Sequence, residues 1–154
     1  MKIQFLAFLA IVSISVFATS CQKEGCTNAY AENYDADANE DDGSCILERD
    51  KFLGTYTATR SCVYESDSTY SVTVIEGPND NEIVLKNIFG WNENLRARVS
   101  GSEIEFVDEH LDVTFDGTGY LAGTELIVSY TVCETFYYPC NDPDECTSTC
   151  VRQE

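Results

Sequence analysis

Histidine is almost missing from this sequence; His110 is the only one. It stands between Glu109 and Leu111, and no glycine-flanked serine elbow occurs in the chain, so a hydrolase triad has little to build on. No glycine loop that would cradle a phosphate is present, and no cofactor motif. Basic residues are scarce, with nine Lys and Arg against 27 Asp and Glu and a formal net charge of −18. So acidic a chain stays soluble and repels nucleic acid and anionic lipid. Arg96 and Arg98 alternate with Leu95, Ala97 and Val99, as outward residues of a strand do, and make no basic patch. Nucleic-acid binding is therefore excluded. Nor does any segment sustain a helical hydrophobic period.

What is present begins at the N-terminus. Lys2 precedes an apolar run (Ile3, Phe5 to Val12, Ile14, Val16, Phe17), followed by the small residues Ala18, Thr19 and Ser20 and then Cys21. A charged start, an apolar middle and a small-residue end make a secretory signal. A membrane-spanning helix needs about 20 predominantly apolar residues, and this run is shorter and broken by Ser13, Ser15 and Thr19. A cysteine directly after the small residues resembles the lipobox of bacterial lipoproteins, although Ala18 stands where the commonest pattern has leucine. The resemblance implies cleavage after Ser20 and diacylation of Cys21; a plain signal peptide would leave Cys21 free for a disulfide. Acyl chains insert at about 0.8 kcal/mol per buried CH₂, and stable anchoring takes more than one chain, as a diacylated (palmitate-bearing) cysteine supplies. The charged run Gln22, Lys23, Glu24 resembles surface-export signals of some Gram-negative lipoproteins. The expected address is the outer membrane, on its periplasmic face or at the cell surface, with the membrane as partner through the lipid.

Eight cysteines in an exported chain read as a disulfide framework rather than nucleophiles or zinc ligands. With Cys21 acylated, seven remain and one is left unpaired; with Cys21 free, four bridges can form. The segment Gly25 to Cys45 resembles a short module of secreted and cell-surface bacterial proteins with the pattern G-C-T, A, N-Y, A, D-D-G-S-C. Gly25, Cys26, Thr27, Ala31, Asn33, Tyr34, Ala38, Asp41, Asp42, Gly43, Ser44 and Cys45 match it. The resemblance implies an accessory extracellular unit without catalytic activity. No stretch in it can form a core, so a bridge between Cys26 and Cys45 has to hold it. Closing such a loop contributes about 3 kcal/mol in the chain-entropy picture. Asn33, Asp35, Asp37, Asn39 and Asp41 recur at alternate positions, with Asp42 beside them. Calcium takes about six to eight oxygen ligands, often from acidic loops of this kind. The other reading is a solvated acidic turn closed by Asp42-Gly43.

From Leu47 onward the hydrophobic period is two. Apolar residues alternate at Phe52, Gly54, Tyr56, Ala58; Tyr70, Val72, Val74; Leu95, Ala97, Val99; Ile104, Phe106; Leu111, Val113, Phe115; and Leu126, Val128, Tyr130, Val132. Turn signals fall at Gly77-Pro78-Asn79-Asp80, Ser100-Gly101, Asp116-Gly117-Thr118-Gly119 and Gly123-Thr124. With Glu82–Asn87 and Thr147–Val151 added, about eight short strands result. The expected fold is all-β: a small antiparallel up-and-down barrel preceded by the disulfide-closed acidic module. Phe52-Leu53-Gly54-Thr55-Tyr56 resembles the opening strand of lipocalin-like barrels, with Tyr56 in place of tryptophan. That resemblance implies a barrel with an interior pocket, although strands this short leave an interior filled by side chains. Closure pairs the first strand with the last, which brings Cys62 opposite Cys146. Cys133, Cys140 and Cys150 then supply one bridge and one leftover thiol.

Two aromatic groups, Phe89-Gly90-Trp91 and Phe136-Tyr137-Tyr138, fall between strands. They either plug the barrel ends or recognise a protein or glycan partner. The expected organisation is a signal peptide at 1–20, a lipid-anchored tether at 21–25, the module at 26–45 and the barrel at 50–154. The expected role is non-catalytic, either binding or structural; the second reading is a carrier of a small hydrophobic ligand.

Overall fold

The computed structural model describes residues 22–110, 113–134 and 143–154, with backbone alone at 109, 110 and 134. Residues 1–20, Cys21, Leu111, Phe136 to Tyr138, Cys140 and the side chain of His110 lie outside the described part.

The module comes first. Strands β1 (Glu24–Gly25) and β2 (Glu40–Asp41) pair in parallel, which places Lys23 to Gly25 inside the module. Cys26 and Cys45 are joined by a disulfide. An isolated bridge between Ala31 and Leu47 hands the chain on to a short 3-10 helix, Glu48–Phe52.

Eight strands follow: β3 (Gly54–Cys62), β4 (Ser68–Glu76), β5 (Glu82–Lys86), β6 (Asn94–Ser100), β7 (Glu103–His110), β8 (Val113–Ala122), β9 (Glu125–Glu134) and β10 (Asp144–Arg152). They form a closed barrel in which each strand is antiparallel to the next in sequence and β10 pairs with β3. Closure leaves no open sheet edge. Alternate residues face inward, among them Tyr56 and Ala58 of β3, Val72 and Val74 of β4, Leu95, Ala97 and Val99 of β6, and Leu126 and Val128 of β9. At the closing pair Cys62 lies opposite Cys146 and is bonded to it.

One expectation is corrected. Asp116 to Gly119 is not a turn but the middle of β8. Its glycines serve packing: a Cβ on Gly117 would stand 2.7 Å from Phe106 Cζ and 2.6 Å from Tyr130 Cβ, and one on Gly119 would stand 3.0 Å from Ile104 Cγ1. Large side chains on neighbouring strands cross the places where β8 has none.

The two ends of the barrel differ. At the base the 3-10 helix seals the opening, with Phe52 buried beneath it. Arg152 from β10 holds this helix: it donates to the carbonyl oxygens of Leu53 (2.9 Å) and Lys51 and to the Tyr56 hydroxyl (2.7 Å). Its guanidinium lies 5.1 Å above the Tyr56 ring. The half-buried or buried charges Glu48 and Arg49 reach the base turns, the first accepting from Gly101 N–H (2.7 Å), the second donating to Gly77 O (3.2 Å) and pairing with Glu76 (3.3 Å). The module sits at this same end, where Asn28 donates to Asp80 of the β4–β5 turn (2.7 Å). The opposite end, the rim, carries the connections β3–β4, β5–β6, β7–β8 and β9–β10.

Candidate functional site

The rim is where side chains depart from a simple apolar filling. The β5–β6 connection folds into the barrel: Ile88 and Phe89 are buried. The Phe89 ring stacks on Phe115 (centroids 4.0 Å apart) and meets Tyr130 edge-on (5.0 Å). Phe106 and Trp91 stand 6.4 Å away. Of the two readings for Phe89-Gly90-Trp91, Phe89 is a plug. Trp91 stays 45% exposed at the rim, as do Val63 at 62% and Tyr64 at 64% on the β3–β4 connection.

Polar groups lie directly beneath the plug. Arg60 of β3, only 8% exposed, donates to Phe89 O (2.8 Å) and to Glu65 (2.6 Å), and its guanidinium lies 5.5 Å from the Trp91 ring centroid. Tyr70 of β4 donates to Ile88 O (2.6 Å) and contacts the Ser148 hydroxyl (3.2 Å). Burial pushes the Tyr70 phenol up to about 12, so it remains a donor. Tyr130, 4% exposed, has its phenol raised too, first by burial. Its hydroxyl lies beside Ser148 and Arg60 but has hydrogen-bond geometry with neither. Arg60 Nε likewise has no partner. Buried polar atoms are nearly always satisfied, so each exception needs a cause.

Sequence reading did not single out Arg60, Tyr130 or Ser148 for this site. A signal existed. Arg60 continues the inward parity of Tyr56 and Ala58, and Ser148 lies at the inward position between Cys146 and Cys150. A charge or hydroxyl at a core position is the informative departure.

The candidate calcium residues are placed differently. Lys23 Nζ lies 2.8 Å from Asp35 and 3.5 Å from Asp37. Asp35 also accepts from Asp37 N–H (3.0 Å), Asp41 from Gly43 N–H (2.9 Å) and Asp42 from Ser44 N–H (2.9 Å). Asn39 accepts from Lys23 N–H (3.2 Å), and Asn33 is bonded to Ser44 O (2.7 Å) and to Ile46 N–H (2.9 Å). The Lys23 ammonium stands between Asp35 and Asp37, and no three carboxylates of the module converge. Among the described residues Cys62, Cys146 and Asp144 do cluster. The two sulfurs are bonded to each other, and the Asp144 carboxylate accepts from Val63 and Tyr64 N–H (3.0 and 3.1 Å), so that cluster closes the barrel.

Cys133 is also disulfide-bonded, and the free thiol among the described residues is Cys150. Burial pushes that thiol up to about 12, which leaves it unreactive.

No protein-family model matches the chain, and no curated protein matches it. Two solved structures are similar in shape. A redesigned β-barrel, b11L5F_LGL, shares 12% identity and a TM-score of 0.49, over 70% of this chain and 96% of that one. EF1p2_mFAP2b bound to DFHBI shares 11% identity and a TM-score of 0.51, over 70% of this chain and all of that one. At such identities the likeness is one of fold.

Proposed function

We propose that this protein is an exported lipoprotein, acylated at Cys21, whose barrel has a non-catalytic binding role at the cell envelope. The observation that carries this reading is polarity. The module that directly follows Cys21 sits at the base of the barrel, whereas the exposed apolar residues Val63, Tyr64 and Trp91 sit at the rim. An anchor at the base turns the rim away from the lipid, toward a protein or glycan partner. Cysteine arithmetic supports the anchor. With Cys150 free and Cys133 bonded to a cysteine outside the described residues, one of Cys21 and Cys140 is left over, and a Cys133–Cys140 bridge would leave Cys21 for acylation.

Calcium has no part in this reading, because Lys23 already supplies a cation to the acidic loop. The test of the anchor is metabolic labelling of the full chain with palmitate in a Gram-negative host. Label and membrane sedimentation that are both lost in Cys21→Ala support it, and an unlabelled wild-type chain overturns it.

The second reading, a carrier of a small hydrophobic ligand, is favoured by one feature: the buried aromatic slot beneath the rim holds donors without partners. Stoichiometric uptake of a hydrophobic dye or fatty acid decides for the carrier. Absence of any uptake decides for the rim surface.

A further inference from the structure

Phe89 occupies the barrel as a ligand would. Its ring fills an apolar slot between Phe115, Phe106 and Tyr130, and its carbonyl oxygen accepts from Arg60 Nη1 (2.8 Å). The segment that carries it is a short excursion between β5 and β6. Asn87, Gly90 and Asn92 take left-handed backbone conformations, with φ of 64°, 76° and 62°. Such residues mark where a chain reverses within a few positions. The loop is held by the burial of Ile88 and Phe89 and by three hydrogen bonds: Tyr70 to Ile88 O, Arg60 to Phe89 O, and Asn87 to Ser71 O (2.9 Å).

Those bonds use only part of what the barrel offers. Among the described residues, Arg60 Nε and the Tyr130 hydroxyl have no hydrogen-bond partner although both residues are more than nine-tenths buried. Among the described residues the carboxylate on Arg60 is Glu65, which reaches in from the β3–β4 connection and is half exposed. The slot is thus apolar at its wall and rich in donors at one side, with a cation whose counter-charge is open to water.

We infer that the loop between β5 and β6 is a displaceable plug, and that the slot beneath it takes a small aryl-alkyl carboxylate, its ring in the place of Phe89 and its carboxylate on Arg60 and Tyr130. This rests on the carrier reading of the barrel. Phe89 itself defines the shape. Two carbons separate its ring from its carbonyl carbon, the same skeleton as in 3-phenylpropanoate. A carboxylate matches the donors better than a neutral group does. It brings two acceptor oxygens to a guanidinium that presents parallel N–H groups, and it keeps a buried cation paired once Glu65 is displaced. An alcohol of the same shape fills the slot but leaves Arg60 on Glu65 and gains no charge-assisted bond of its own.

Trp91 is the single tryptophan, and its ring faces Arg60, so its emission reports the site. The experiment titrates the full ectodomain with 3-phenylpropanoate and, separately, with 3-phenylpropan-1-ol, exciting Trp91 alone. The acid is expected to saturate the signal at one equivalent, and the alcohol to bind about tenfold more weakly or worse. Arg60→Gln should remove the difference between the two probes, and Glu65→Gln should tighten the acid without moving the alcohol. Phe89→Ala empties the slot; its thermal midpoint should rise saturably with the acid, because a ligand that binds only the folded state stabilises it. Equal affinity of acid and alcohol overturns the carboxylate subsite and leaves the carrier reading standing. No response to either probe, in the wild type and in Phe89→Ala alike, overturns both.

Discussion

Gly117 shows what a single residue decides in this barrel. In sequence, Asp116-Gly117-Thr118-Gly119 has the composition of a turn. In the fold it runs straight through β8, and a Cβ at Gly117 would come within 2.5 Å of Ser129 O. Gly117→Ala should therefore cost about 1–3 kcal/mol through overpacking, read as a lower urea midpoint at unchanged slope. Gly123 makes the control, since nothing lies within 4 Å of its Cβ position and only its φ of 66° resists alanine. Gly123→Ala should cost about 1–2 kcal/mol from backbone strain, without loosening the Phe89–Phe106 and Phe89–Tyr130 contacts in NMR. In the module, hydrogen bonding from Lys23 holds the Asp35 carboxyl below its ordinary 3.8, and bonds from Ser44 do the same for Asp42. Depressed carboxyls contribute stability above pH 3.8 and lose it as pH falls through their lowered folded values. The Asp37 and Ser44 amides, which donate to them, should lose exchange protection below pH 3.8. Protection that persists to strong acid would mean these bonds do not order the loop. Lys23 has the opposite sign: its raised ammonium contributes below pH 10.5 and is lost as pH climbs through the higher folded value.

Among elements, the closing pair of strands carries the largest single constraint. The Cys62–Cys146 bridge spans 84 residues of sequence and staples β3 to β10. In the chain-entropy picture such a loop is worth about 4.5 kcal/mol. The double variant Cys62→Ser, Cys146→Ser should melt well below the wild type. It should still fold, because the β3–β10 register continues through Arg152↔Tyr56 without it. An unchanged melting temperature would place closure in the hydrogen-bond ladder alone. The pairing was legible beforehand, since an up-and-down barrel leaves the first strand only the last as its remaining neighbour. The inward positions were equally legible from the period of two. A plug was legible as one of two readings of Phe89-Gly90-Trp91; what was not legible was that Phe89 turns inward with Ile88 while Trp91 stays out. Ile88 and Phe89 lie outside any strand pattern, and only the space enclosed by eight strands explains why they turn inward.

At the scale of the whole molecule, the module and the barrel are joined through polar contacts. Lys51 pairs with Glu32 (2.8 Å), Asn28 bonds Asp80 (2.7 Å), and the Glu48 amide donates to Tyr30 O (2.9 Å). The acidic loop of the module is internally satisfied, with Lys23 as its cation. Thermal melts of residues 22–154 in calcium and in chelator should therefore coincide. Calcium at 100 times its Kd would add about 2.7 kcal/mol, a shift of several degrees. Such a shift, if lost in the Asp41→Asn, Asp42→Asn variant, would restore those two carboxylates as ligands.

The order of strands, their inward faces and the disulfide that holds the module follow from the one-dimensional pattern. Alternation, turn residues and cysteine spacing are local signals, and in an up-and-down barrel neighbours in sequence are neighbours in space. The tertiary structure alone decided which glycines lie under aromatic rings, that Phe89 fills the barrel, and that Arg60, Tyr70, Tyr130 and Ser148 meet beneath it. It also decided that Asp35 and Asp37 of the module face Lys23. Each of these is a contact across the enclosed interior or between distant loops, where a side chain's role is set by the volume and charge it meets.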